Sequence, residues 1–177
     1  TGAPLSVWLA TQSGIKDKLA CLLFMSPNFK IRPNLGFLLT GPFSSQLIRL
    51  LFAGRYRSWV PANEDQAKFW TTKQPVSALI EMQKVVDWAN AQDLESIEIP
   101  VATLYMPNDP TINARAAMRA HKRFSNVKNE LTAVAIDGDK PDHVFCGEIC
   151  GEHRTQWTTK YLENFLTKLD ISHSNRS

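Results

Sequence analysis

Pro100-Val101-Ala102-Thr103-Leu104-Tyr105-Met106-Pro107-Asn108-Asp109-Pro110 sets a short apolar run between prolines and closes it on an aspartate. Such a run, apolar at successive positions and bounded by turn residues, fits a parallel strand buried on both faces. Working outward, Leu19-Ala20-Cys21-Leu22-Leu23-Phe24-Met25 forms a second run, stopped by Ser26-Pro27-Asn28, and Leu131 to Ile136 a third, stopped by Asp137-Gly138-Asp139. Helical spacing fills the intervals. Pro4 suits a first helical turn, and Leu5, Trp8 and Leu9 place a helix over residues 3–13 with Gly14 ending it. Leu79, Ile80, Met82, Val85, Val86 and Trp88 give residues 76–91 one broad apolar face. Residues 112–124 have helical composition, and Trp157, Tyr161, Leu162 and Phe165 place a last helix over 155–168. Strands alternating with helices predict an α/β chain with three parallel strands joined by right-handed crossovers.

Residues 29–75 break the alternation. Pro33, Gly36, Gly41, Pro42, Gly54, Pro61 and Pro75 separate aromatic-rich pieces, which predicts short helices inserted as a cap over the sheet. The expected organisation is a core of residues 1–28 and 76–172, a cap over 29–75, and a flexible tail at 173–177. At 177 residues, with 44% hydrophobic and 21% charged side chains, the chain can bury a single core. Twenty basic against 17 acidic side chains, without a run of like charge, gives no footprint for nucleic acid. The longest apolar run, Leu19–Met25, falls far short of the roughly 20 residues of a transmembrane helix. Three cysteines, Cys21, Cys146 and Cys150, form no disulfide framework, so the default compartment is reducing and the expected location cytoplasmic. The chain opens on Thr1 without a leader, which places the expected true N-terminus upstream.

Two residues carry the chemistry. Asp109 lies just past the carboxyl end of one predicted strand and His143 follows the next, at the sheet edge where ligand sites of open α/β sheets gather. Taken singly, Asp109 reads as a helix cap and His143 as a loop histidine. Together, an acid and a base after successive parallel strands read as a catalytic pair. Asp137, Asp139 and Asp142 precede the histidine on its own loop and read as turn formers. His143, Cys146, Cys150 and His153 have zinc-capable side chains, but all four come from one segment, where structural zinc draws pairs from separated elements. No metal and no cofactor is therefore expected. Cys146 and Cys150 read as small buried residues on a helix, and His121 and His153 as surface residues. Phe29, Phe37, Trp59 and Trp70 are the candidate wall of a substrate pocket, against a background in which most cap aromatics simply pack. Arg49, Arg55 and Arg57 read as a solvated helix face.

Thr1-Gly2-Ala3-Pro4-Leu5 completes the pattern, because it reads as the back half of a G-x-S-x-G nucleophile elbow opening a helix. With Asp109 and His143 following in that order, the chain resembles the C-terminal half of the α/β-hydrolase family. More narrowly, it is similar to bacterial serine hydrolases of the monoacylglycerol lipase and lysophospholipase kind. That resemblance implies a serine immediately before Thr1, Asp109 as the acid that orients the imidazole, and His143 as general base and then general acid. It also implies the backbone N–H of Thr1 as one oxyanion donor. An aspartate nucleophile of the dehalogenase kind is the alternative for the unseen position. Asn28 removes the other place where this fold sometimes puts its acid. The resemblance implies an ester substrate for the intact protein and no turnover by residues 1–177 alone. The open edge at residues 19–25 is expected to pair with the missing N-terminal half or with a second copy. The rival expectation is a non-catalytic module for association or ligand binding.

Overall fold

The computed structural model describes residues 2–32, 43, 46, 56–135 and 141–170. Three strands, β1 (Leu22–Met25), β4 (Val101–Tyr105) and β5 (Glu130–Ala133), form one parallel sheet in the order β1-β4-β5. Leu22 pairs with Val101 and Met25 with Leu104 across one seam, and Ala102 pairs with Glu130 and Tyr105 with Ala133 across the other. A second pair, β2 (Tyr56–Ser58) and β3 (Lys73–Pro75), is antiparallel. Among the described residues the α-helices with full bounds are α1 (Gly2–Thr11), α2 (Glu64–Phe69), α3 (Val76–Ala91), α4 (Ala114–His121) and α5 (Glu152–Lys168).

The helices cover both faces of the parallel sheet. On one face Val7 and Ala10 of α1, Ala89 of α3 and Ala120 of α4 close over Leu22, Phe24 and Val101, with Phe29 and Phe124 filling the space between. On the other, Leu104 and Met106 meet Val134 and Phe145, with Tyr161 and Leu162 of α5 against them. β4 is central and buried from Val101 to Leu104, as its continuous apolar sequence requires.

β1 departs from expectation. The apolar run is seven residues long, but only Leu22–Met25 pairs, and its side chains alternate between buried and exposed. Leu23 and Met25 are 38% and 48% exposed, so this strand is covered on one face alone. Its far edge has no strand beside it among the described residues.

Within residues 29–75, the described stretch 56–75 holds a strand ribbon that the sequence does not announce. It contains the β2–β3 ribbon flanking one helix, α2, and all six ribbon residues are exposed, so no alternating pattern marks them in the sequence. Arg57 lies on β2, not on a helix face. Arg49 and Arg55 lie outside the described residues. Asn63 caps α2 by accepting from the Gln66 N–H at 2.8 Å. No helix among the described residues is long and apolar enough to cross a membrane.

Candidate active site

The site forms where the chain leaves the carboxyl ends of β4 and β5. After β4, Asn108 takes a left-handed conformation (φ 59°), a turn that asparagine tolerates better than most residues. Asp109 follows with its side chain fully enclosed, at 0% exposure. Its Oδ1 accepts from the backbone N–H groups of Thr111 (2.8 Å) and Ile112 (3.0 Å). Its Oδ2 lies 2.9 Å from His143 Nδ1.

The two oxygens of Asp109 thus have separate partners. Oδ1 caps the turn that leads into α4, and Oδ2 is left for the imidazole. Burial by itself would raise the carboxyl's pKa; hydrogen bonds from His143, Ile112 and Thr111, with the positive charge His143 can carry, outweigh it and hold Asp109 below the ordinary carboxylate range. An ionised acceptor at Oδ2 calls for a proton on Nδ1, which leaves Nε2 as the basic nitrogen. His143 is one-third exposed, so the pair joins an enclosed acid to an accessible base.

Two other segments brace the pair. Residues 30–32 run antiparallel to the acid loop: the Asn113 N–H donates to the Lys30 carbonyl (2.8 Å), Ile31 bridges Ile112, and the Arg32 N–H donates to the Thr111 carbonyl (2.9 Å). The Arg32 guanidinium reaches the carbonyls of Asp109 (3.1 Å) and Asn108 (3.3 Å). On the histidine side, Asn63 Nδ2 donates to the Ile149 carbonyl (2.9 Å) and Gln66 Nε2 contacts Cys150 Sγ. Sequence reasoning missed Arg32, Asn63 and Gln66, since each acts across a long separation with no local signature.

The remaining candidates divide. Phe29, read as a substrate contact, is 2% exposed and sits edge-on to Phe24 with ring centroids 6.1 Å apart, so it supports the sheet and has no surface left for a ligand. Trp59 and Trp70 are half-buried and meet edge-to-face at 6.1 Å, closing the ribbon around α2. Phe37 and Thr1 lie outside the described residues. Cys146 and Cys150 lie on the loop between His143 and α5, not on a helix, because Gly147 (φ 103°) and Gly151 (φ 77°) hold that segment in a conformation no helix contains. All three cysteines are free thiols, and no group of metal-capable side chains is assembled among the described residues. His121 is buried, contrary to a surface reading, with Nδ1 2.9 Å from Thr103 Oγ1 of β4. Ala116, Ala117 and Ala120, buried on the same helix face, were the signal for it.

No family model and no curated protein matches the chain. Solved structures do. A soluble variant of monoglyceride lipase from Saccharomyces cerevisiae superposes with a TM-score of 0.65 at 9% identity, over 94% of this chain and 62% of that one. A structure from the metagenome-derived lipolytic enzymes LipS and LipT gives 0.61 at 15% identity, over 97% and 62%. The monoacylglycerol lipase of Paleococcus ferrophilus gives 0.60 at 16% identity, over 92% and 65%. The chain therefore spans less than two thirds of the length of each of these structures. The three-stranded parallel sheet with its flanking helices is a partial α/β-hydrolase fold, shared with monoacylglycerol lipases and other lipolytic enzymes.

Proposed function

We propose that this chain is the C-terminal part of a serine hydrolase that cleaves carboxylic esters of lipid type, a lipid-like ester or a lysophospholipid, with the nucleophilic serine immediately upstream of Thr1. The observation that carries the proposal is the contact of His143 Nδ1 with a wholly enclosed Asp109 Oδ2 at 2.9 Å. Asp109 fixes the tautomer and stabilises the imidazolium. His143 Nε2 takes the serine proton during attack on the ester carbonyl and returns it to the departing alcohol. Water then repeats the cycle on the acyl-enzyme. The N–H of Thr1 is one donor to the oxyanion, and the second comes from the missing half.

Residues 29–75 act as the cap, with Trp59, Trp70 and Phe37 offering apolar surface to the acyl portion. The exposed edge of β1 takes the N-terminal half of the intact protein, or a second copy where that half is absent. Residues 1–177 alone lack a nucleophile and turn nothing over. Three free thiols suit a reducing, cytoplasmic setting.

The test is hydrolysis of p-nitrophenyl esters of increasing chain length, and of a monoacylglycerol, by the gene product from its own start codon. Wild-type turnover is expected, with none by residues 1–177 alone and at least about a thousand-fold less by His143→Ala. Folded gene product that cleaves none of these esters would overturn the reading and favour an association or ligand-binding module.

A further inference from the structure

We infer that Arg32 is a positioning residue for the acid–base pair, fixing the backbone turn from which Asp109 reaches His143. This rests on the reading of Asp109 and His143 as the working pair. Asp109 leaves β4 through Asn108, whose φ of 59° is a left-handed conformation that a non-glycine residue adopts at a cost. A turn held there needs something to keep it, and the Arg32 guanidinium does so from across the chain. Nη1 donates to the carbonyl of Asn108 at 3.3 Å and to that of Asp109 at 3.1 Å, which ties the left-handed turn residue and the acid together. The same residue's main chain donates to the Thr111 carbonyl at 2.9 Å, and the Thr111 N–H in turn holds Asp109 Oδ1 at 2.8 Å.

Arg32 is therefore bonded to three points of the loop: the turn before the acid, the acid's own peptide and one of the two residues that anchor its carboxylate. Because Arg32 is itself exposed, these bonds add little to global stability, and their effect is on direction. Asp109 Oδ1 has two backbone donors of its own, so loosening the turn does not release the carboxylate; it rotates Oδ2 relative to the imidazole. Lysine is only a partial replacement, since its ammonium keeps the charge and the donors but carries them on a flexible stem without the rigid planar head that fixes Nη1.

The experiment is long-range proton–nitrogen NMR of the imidazole rings in the full gene product, comparing wild type, Arg32→Met and Arg32→Lys, with His143→Ala to identify the signals. Wild type is expected to show His143 with its proton on Nδ1. In Arg32→Met the Nδ1 and Nε2 shifts of His143 are expected to move towards each other as the tautomer preference is lost, with Arg32→Lys between the two. Backbone amide spectra that otherwise overlay would show the variants folded; if Arg32→Met does not fold, Arg32→Lys alone decides. Unchanged His143 shifts in the folded variant, or a wild-type His143 without an Nδ1 proton, would overturn the inference. Fluorophosphonate labelling of the full gene product separates this from the proposed function. Labelling by wild type and roughly ten-fold slower labelling by Arg32→Met supports both. Labelling at equal rates removes the role of Arg32 alone. Absence of wild-type labelling removes the hydrolase reading.

Discussion

Asp109 shows how one side chain satisfies two demands. Oδ1 ends a turn, as aspartates before helices commonly do, and Oδ2 faces a histidine 34 residues downstream. Sequence could supply the residue type and the position after β4, but not the division of labour between the oxygens, which depends on how the loop from β5 returns. His121 makes a complementary case: a histidine placed by an alanine-lined helix face beside Thr103, with burial lowering its pKa. A base whose folded pKa is depressed stabilises the fold above its unfolded value and ceases to as pH falls. The His121 contribution should therefore erode below about pH 6.5, whereas that of Asp109, also depressed, should persist to about pH 4 before it is lost. Thermal midpoints measured between pH 8 and 3 should accordingly fall in two stages. His121→Gln, which cannot titrate but can bond Thr103, should remove the first stage and keep the second; an unaltered profile would contradict this assignment.

At the scale of elements, the parts that sequence rendered faithfully are those whose periodicity is undisturbed. β4 is buried on both faces and reads as a continuous apolar run, and α3 matches residues 76–91 end to end. β1 was overread because Leu19–Cys21 are apolar but leave the ladder, and the β2–β3 ribbon was missed because exposed residues carry no alternation. Cys146 and Cys150 sit on a loop where composition suggests helix, because positive φ at Gly147 and Gly151 is invisible in composition. Those glycines are not equivalent. A Cβ at Gly151 would sit 2.3 Å from both the carbonyl carbon and oxygen of Phe145 and 2.8 Å from the Cys146 nitrogen, backbone that cannot step aside, whereas nothing lies within 4 Å of one at Gly147. Gly151→Ala is expected to cost roughly 2–4 kcal/mol, combining clash and conformation. Gly147→Ala, strained by conformation alone, should cost about 1–2 kcal/mol. Urea denaturation of both variants checks the order; equal losses would mean that Gly151 is not lodged against the 145–146 peptide.

Across the whole molecule, two features belong together. Among the described residues the sheet ends at β1, with Leu23 and Met25 exposed on one face, and the chain spans less than two thirds of the solved structures that share its fold. The fold class was legible because three apolar runs at the right intervals leave few other topologies. The long-range contacts were not, since Arg32, Asn63 and Gln66 reach the loops after β4 and β5 through partners 76 to 86 residues away. These bonds join Arg32, Asn63 and Gln66 to the loops that carry Asp109 and His143 in one hydrogen-bonded assembly. The central claim, that this assembly serves a serine ahead of Thr1, is tested most directly by fluorophosphonate labelling of the full gene product, with mass spectrometry to locate the adduct. The account expects the adduct on the serine preceding Thr1, with labelling slowed by about a thousand-fold or more in Asp109→Asn, whose amide holds the imidazole in the wrong tautomer. An adduct elsewhere, or labelling indifferent to Asp109, would contradict it.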